Sequence, residues 1–297
     1  MNLSINNTQD NIEQVFNGLD VTESTRADYK ARIGMFLTFV GESGFNRNSF
    51  LNYKRCLAQK TDFTVSTKNK YLASARVFVK ELNRQGMLPA DITQNIKGFT
   101  QSKKHKKDGL SESDMSLLVE NIQGLSDTPK NNRLKAILGL LALQGLRQVE
   151  IIRLDVSDID LVAKVAFVLG KGRDDKEPVD LHPETVRLIK DYLASNKIKS
   201  GALFQSQSNN SKNKRLTTRG LRQMIKKVLT NLGINKSTHG FRHYFTTKMI
   251  KSYKGDLLEV AGYTRHKSLE MLQVYFDKVK READLPRYYG AFKGVSF

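Results

Sequence analysis

At 297 residues the chain is long enough for two domains, each burying its own core, and its 39% hydrophobic and 27% charged residues are ordinary for a globular protein. The formal net charge of +19 is not ordinary; it is shared between residues 1–109 (+7) and the remainder (+12), and it points to a polyanionic partner, nucleic acid first. A single cysteine, Cys56, excludes an internal disulfide, and no apolar run approaches the ~18 residues that span a bilayer.

The first residues, Met1 to Asn7, lack the basic and apolar parts of a signal peptide, so a cytoplasmic location is expected. From Thr22, Tyr29, Ile33, Phe36, Leu37 and Val40 fall on one helical stripe that Gly41 and Gly44 are expected to end. The same spacing returns at Tyr71, Ala75, Phe78, Val79 and Leu82, with Gly86 and Pro89 as the stop. A shorter helix around Phe50–Ala58 and another before Thr22 complete a bundle of four. Cys56 reads there as a small buried hydrophobe.

Four lysines in the polar run 101–109, Lys103, Lys104, Lys106 and Lys107, read as a basic linker that also suits a DNA backbone. It divides an N-terminal domain, 1–100, from a second domain, 110–297. Ser111 with Asp114 resembles a capping box ahead of a helix to about Ile122. Pro129 opens a helix apolar on most sides, through Leu134, Ile137, Leu138, Leu140, Leu141 and Leu143, that ends at Gly145.

Between Asp155 and Leu181 the period changes. Val165, Phe167 and Leu169 alternate, Gly170-Lys171-Gly172 interrupts, and Val179 and Leu181 alternate again: strand, turn, strand, after a short first strand near Val156–Ile159. Helices are then predicted from Pro183 to about Ala194, Thr217 to Leu232, Ser237 to about Ser252, Leu257 to Gly262 and Leu269 to Val279. The fold class is therefore mainly α, a four-helix domain followed by a mixed α+β domain with a small antiparallel sheet.

Taken singly, the chemistry-bearing residues have plain structural readings. His239 and Arg242 share a helix face, Arg147 and Glu150 suit an i,i+3 ion pair, Lys171 suits a turn, and Tyr275 a core aromatic. Together, Gly145-Leu146-Arg147-Gln148-Val149-Glu150, Leu169-Gly170-Lys171-Gly172, His239-Gly240-Phe241-Arg242-His243, and His266 with Tyr275 nine residues on, resemble the signature of the tyrosine recombinases. These are the phage-integrase and Xer-type enzymes of DNA strand exchange, and the compact Xer-like members are the most similar in length and motif placement. The likeness runs from about Thr22 onward.

That resemblance implies roles. Arg147 and Arg242 would clamp the non-bridging oxygens of the scissile phosphate, as suits a fork of permanently charged donors. His239 and His266 would complete the cage as donors, with His239 also accepting the proton of the nucleophile. Lys171 would protonate the departing 5′ oxygen, Glu150 would orient the cage, and Tyr275 would attack to leave a 3′-phosphotyrosyl link. Neither metal nor cofactor is implied, and the sequence shows no ligand-spaced Asp/Glu/His cluster and no phosphate-binding glycine loop. Expected partners are double-stranded DNA with inverted half-sites, a homo-tetramer built on two duplexes, and in some systems accessory proteins or a second recombinase.

Departures from the pattern stand beside it. The family usually has Leu-Gly before the second histidine, and here Tyr263-Thr264-Arg265 precedes His266. Lys176 rivals Lys171 as general acid, and Tyr288 and Tyr289 rival Tyr275 as nucleophile. The tail with Pro286, Phe292, Val295 and Phe297 is expected to dock on a neighbouring protomer or fold back on its own domain; deletion after Lys280 tests the first. Two alternatives remain open: relaxation of DNA in the manner of a type IB topoisomerase, and a DNA-binding regulator of the same fold that does not cleave.

Overall fold

In a computed structural model, residues 9–101, 109–170, 172–208, 211–266 and 268–296 are described. The chain forms two compact units, Met1–Lys103 and Lys104–Phe297. The four linker lysines, Lys103, Lys104, Lys106 and Lys107, lie outside the described residues.

The first unit comprises α1 (Gln9–Asn17), α2 (Glu23–Ser43), α3 (Ser49–Gln59) and α4 (Val65–Arg84). Thr22 caps α2, its hydroxyl accepting from the Thr25 amide, and Thr64 caps α4 through Thr67 in the same way. The predicted stripes face inward: Ile33, Phe36, Leu37 and Val40 meet Ala75, Phe78, Val79 and Leu82, with Phe16, Phe50 and Tyr53 between them. Each such side chain contributes roughly 1.5–3 kcal/mol of burial. Gly41 does not end α2, because a glycine in a helix costs only about 1 kcal/mol and the preceding turns are held by the burial of Phe36, Leu37 and Val40. The stop is Gly44, at φ +74°.

The second unit begins with α5 (Glu112–Gln123), which has the expected capping box: the Ser111 hydroxyl accepts from the Asp114 amide at 3.0 Å, and the Asp114 carboxylate accepts from the Ser111 amide at 2.8 Å. Helix α6 (Pro129–Leu143) is buried on nearly every side and lies against α8 (Pro183–Asn196) at the centre of the core. Short α7 (Gln148–Arg153) leads into an antiparallel sheet of order β1-β2-β3: β1 (Ile159–Asp160), β2 (Val165–Leu169) and β3 (Lys176–Asp180). Residues Val156–Asp158, expected to open the first strand, form a 3₁₀ turn instead. There the Asp158 carboxylate accepts from the Asp155 amide at 2.9 Å, a local bond that competes with strand pairing. Pro178 sits on the outer strand, where its missing N–H costs no ladder bond.

Helices α9 (Thr218–Asn231), α10 (Thr238–Ser252), α11 (Leu257–Thr264) and α12 (Leu269–Gly290) complete the unit. Helix α12 runs well past Val279 and through Pro286. The proline deprives only the Glu282 carbonyl of its helical partner, and this stretch is solvent-exposed, so the carbonyl stays open to water. No helix among the described residues is long and apolar enough to cross a membrane.

Candidate active site

The buried α6 delivers the first arginine. Gly145 follows it at φ +59°, and a Cβ there would lie 2.3 Å from the Phe245 ring, so only glycine turns the chain at this point. Arg147 then stands just before α7, and Glu150 folds back onto it. One Glu150 oxygen accepts from the Arg147 amide and the other from the Arg147 guanidinium, both at 2.8 Å. Glu150 is fully buried.

Helix α10 supplies the next group. His239, Arg242 and His243 lie one turn apart on one face. Arg242 is 2% exposed, and its two terminal nitrogens donate to the backbone carbonyls of Gly145 (2.8 Å) and Thr264. It thereby joins the α6–α7 turn to the end of α11. The His239 ring meets that of His243 edge-on with centroids 4.6 Å apart, and His243 lies 5.1 Å from the Tyr275 ring.

The last group comes from the α11–α12 turn. Arg265 closes α11 in the left-handed conformation at φ +53°, which costs an arginine on the order of 1–2 kcal/mol. Its side chain is 9% exposed and donates from Nη2 to Glu150 at 2.8 Å, while its Nη1 is buried without a partner, a further cost of about 1–3 kcal/mol. His266 follows, and Tyr275 lies on the inner face of α12, 7% exposed, its ring centroid 6.2 Å from that of His266.

One hydrogen-bond chain settles a proton. The Thr264 hydroxyl donates to the Val260 carbonyl at 2.7 Å, so its 2.7 Å contact with His266 Nδ1 is one that it accepts. Nδ1 therefore carries the proton, and Nε2 is the acceptor of the neutral ring. Burial, then Arg242, Arg147, Arg265 and His239, push His266 down to about 3, so it is neutral at ordinary pH.

The other groups respond to the same field. Burial pushes the Tyr275 phenol up to about 12, against the opposing pull of Arg242 and Arg147. Burial, followed by neighbouring Arg147, lowers Arg242 to about 10, which leaves it charged. Burial alone would raise the Glu150 carboxyl, but Arg265 and then Arg147 outweigh it and hold it below the ordinary glutamate range. Three guanidiniums thus share one carboxylate, leaving an excess of positive charge.

A stability test follows for His266. An unfolded histidine titrates near 6.5, so between there and about 3 the unfolded chain binds the extra proton. Stability present above pH 6.5 is then lost as pH falls toward 3, by at most ~1.4 kcal/mol per unit. His266→Asn keeps a donor for Thr264 but does not titrate, and urea denaturation at acid and neutral pH should show a shallower acid loss. Equal acid losses in the two proteins would contradict a neutral, half-buried His266.

Arg147, Glu150, His239, Arg242, His266 and Tyr275 are thus brought together, whereas Lys171 lies outside the described residues. Its rival Lys176 is paired with the nearly buried Asp158. The rival phenols, Tyr288 and Tyr289, are 57% and 63% exposed on the last turns of α12, beyond the helix end that the sequence suggested. Sequence reasoning gave no role to Arg265, Thr264 or His243. The signal for the first two was the departure from Leu-Gly before His266.

Residues 109–282 match the phage integrase family. Tyrosine recombinase XerC of Herpetosiphon aurantiacus is 27% identical over 265 residues, covering 86% of this chain and 85% of that protein. Among solved structures, the XerH site-specific recombinase bound to palindromic difH substrate in a post-cleavage complex aligns with a TM-score of 0.75 at 18% identity, over 94% of this chain and 84% of that one. A lambda integrase dimer bound to a COC′ core site aligns at 0.67 and 12% identity, over 90% and 75%. At those identities the two structures speak for the fold.

Proposed function

This chain belongs to the phage integrase family, and from that premise we propose that it is a site-specific DNA recombinase whose Tyr275 forms a 3′-phosphotyrosyl intermediate. The observation that carries the reading is the convergence of Arg147, Arg242 and His266 on one phenol, so that the tyrosine and the histidine both feel both guanidiniums. A phosphodiester entering that field meets preorganised cations placed where charge grows in the transition state.

Arg147 and Arg242 bind the non-bridging oxygens. The Tyr275 oxygen attacks phosphorus, the bond from phosphorus to the 5′ oxygen breaks, and Lys171 protonates the departing oxygen. The phenol's proton passes to a histidine. His239 is the acceptor that the family likeness implies, and His266 offers a second, since its Nε2 is unprotonated before DNA arrives. With the anionic phosphate raising its proton affinity, His266 takes the phenol's proton on Nε2 as Tyr275 attacks and then donates it in a hydrogen bond to a phosphate oxygen. The phosphotyrosyl ester keeps the energy of the broken bond, so rejoining needs no nucleotide.

The chain acts on inverted half-sites, two protomers per duplex and four when two duplexes pair. Tyr288, Tyr289, Phe292 and Val295, each more than half exposed, form an apolar patch suited to a neighbouring protomer. Deletion after Lys280 would cut α12 in the middle, so the test is deletion after Gly290. Cooperative DNA binding should weaken while single-site binding stays; unchanged cooperativity would contradict docking on a neighbouring protomer. Phe297 lies outside the described residues.

The reading is tested with duplexes carrying randomised inverted repeats and a nick near the centre, which traps cleaved product. A detergent-resistant adduct with a free 5′ hydroxyl, formed without ATP, is expected. Binding with no adduct on any duplex would indicate a non-cleaving regulator, and relaxation of plasmid lacking such repeats would indicate a topoisomerase-like enzyme.

A further inference from the structure

The nucleophile's segment is joined to the body of its unit in an unusual way. Leu272 and Tyr275 pack with Ile250 and Val260 in a small cluster separate from the main core around α6. Two polar ties connect the α11–α12 turn to the α6–α7 region: Arg242 reaching the Thr264 carbonyl, and Arg265 reaching Glu150. We propose that Arg265 is a positioning residue for strand cleavage, holding the Arg147 guanidinium, through the Glu150 they share, in register with the segment that carries His266 and Tyr275. The inference rests on the recombinase reading above.

The carboxylate is divided between its partners. One Glu150 oxygen accepts from Arg147 Nη1, and the other from both Arg265 Nη2 and the Arg147 amide, each at 2.8 Å. With Glu150 fully buried and Arg265 9% exposed, little water competes for these bonds. A carboxylate held on both sides is a rigid bar between α7 and the α11–α12 turn: rotating it toward one guanidinium withdraws it from the other. The cations that act on the Tyr275 phenol are Arg242 and Arg147, whereas Arg265 acts on Glu150, Arg242 and His266. Arg265 is thus turned to Glu150, the carboxylate that also holds the Arg147 guanidinium.

The backbone adds an independent reason. The related motif carries glycine before this histidine, and glycine takes the left-handed conformation freely. Here Arg265 is held there at φ +53°, with Nη1 buried and unpartnered. Strain and an unmet donor both weigh against a side chain that merely fills space. What the chain gains for them is the second arm on Glu150.

The test uses the full chain and the nicked duplex that it cleaves best among the randomised repeats. Arg265→Asn tolerates the left-handed backbone but loses the charge, and single-turnover adduct formation should slow roughly ten- to a hundredfold with DNA affinity essentially kept. Arg265→Lys should recover part of the rate. In an Arg147→Ala background the Asn substitution should cost clearly less than in the wild type, because the part of its effect that passes through Arg147 is already lost. An equal cost in both backgrounds, or none in either, overturns the proposal.

Hydrogen exchange on the DNA-free chain supplies a second measure. Arg265→Asn should speed exchange across residues 257–279 and leave α6 and α8 unchanged; unaltered exchange in 257–279 also overturns the tie. A wild-type chain that forms no adduct on any duplex sinks the recombinase reading, while the exchange result still judges whether Arg265 fastens this segment.

Discussion

Tyr275→Phe is expected to bind DNA as the wild type does and to form no covalent adduct on a nicked duplex. The substitution removes one oxygen and keeps the ring that packs with Ile250, Val260 and Leu272, so the fold should be preserved. The loss should be complete, because no other phenol is placed to replace it: Tyr288 and Tyr289 project into solvent from the far turns of the same helix. Tyr288→Phe and Tyr289→Phe should accordingly cleave at wild-type rates. With its pKa pushed up to about 12, only about one Tyr275 in 10⁵ is ionised at pH 7, so the proposed attack would run by proton transfer to a histidine and not from a standing phenolate. An adduct that survives Tyr275→Phe would move the nucleophile elsewhere.

Glu150→Gln should be the most costly single change to the second unit. The amide is the same size, but it neutralises the one buried carboxylate that Arg147 and Arg265 share and leaves three neighbouring guanidiniums uncompensated. Breaking a buried pair by removing one partner costs about 3–5 kcal/mol, a large share of the ~5–15 kcal/mol that keeps a domain folded. Chemical denaturation should show that loss, and sulfate or phosphate, by supplying anions to the stranded cations, should restore part of it. A loss below about 1 kcal/mol would place Glu150 in the class of solvent-screened surface pairs. The exposed Arg187 pairs with Glu184 and Asp191 belong to that class, and their removal should scarcely register.

Much of this architecture could be read from local rules. The stripes of α2 and α4, the Ser111–Asp114 box, the all-round apolar α6 and the β2–β3 hairpin each follow from spacing that needs no tertiary context. The site was legible for a different reason. Its residues sit at element ends and on one helix face, in an order that the recombinase likeness ties to a single phosphate. What spacing could not convey was geometry that runs against propensity. Arginine has no preference for the left-handed region, so nothing in Tyr263-Thr264-Arg265 announces a buried tie to Glu150. The proton on His266 depends on which way a threonine hydroxyl points, and that depends on the Val260 carbonyl one helical turn back. The continuation of α12 through Pro286 is likewise a matter of context, since one unpaired carbonyl is cheap in water and prohibitive in a core.

The two halves of the cage are rooted in material of very different firmness. Arg147 grows from the end of α6, whose side chains are locked among those of α8, whereas Tyr275 is itself one of the four buried side chains of a satellite cluster. Free energies of local opening scale with such buried contact. On warming, therefore, the helix that carries Tyr275 should loosen while Arg147 is still held in place. On the proposed function, a chain held a few degrees below its melting transition would keep its grip on DNA and lose the power to cut it.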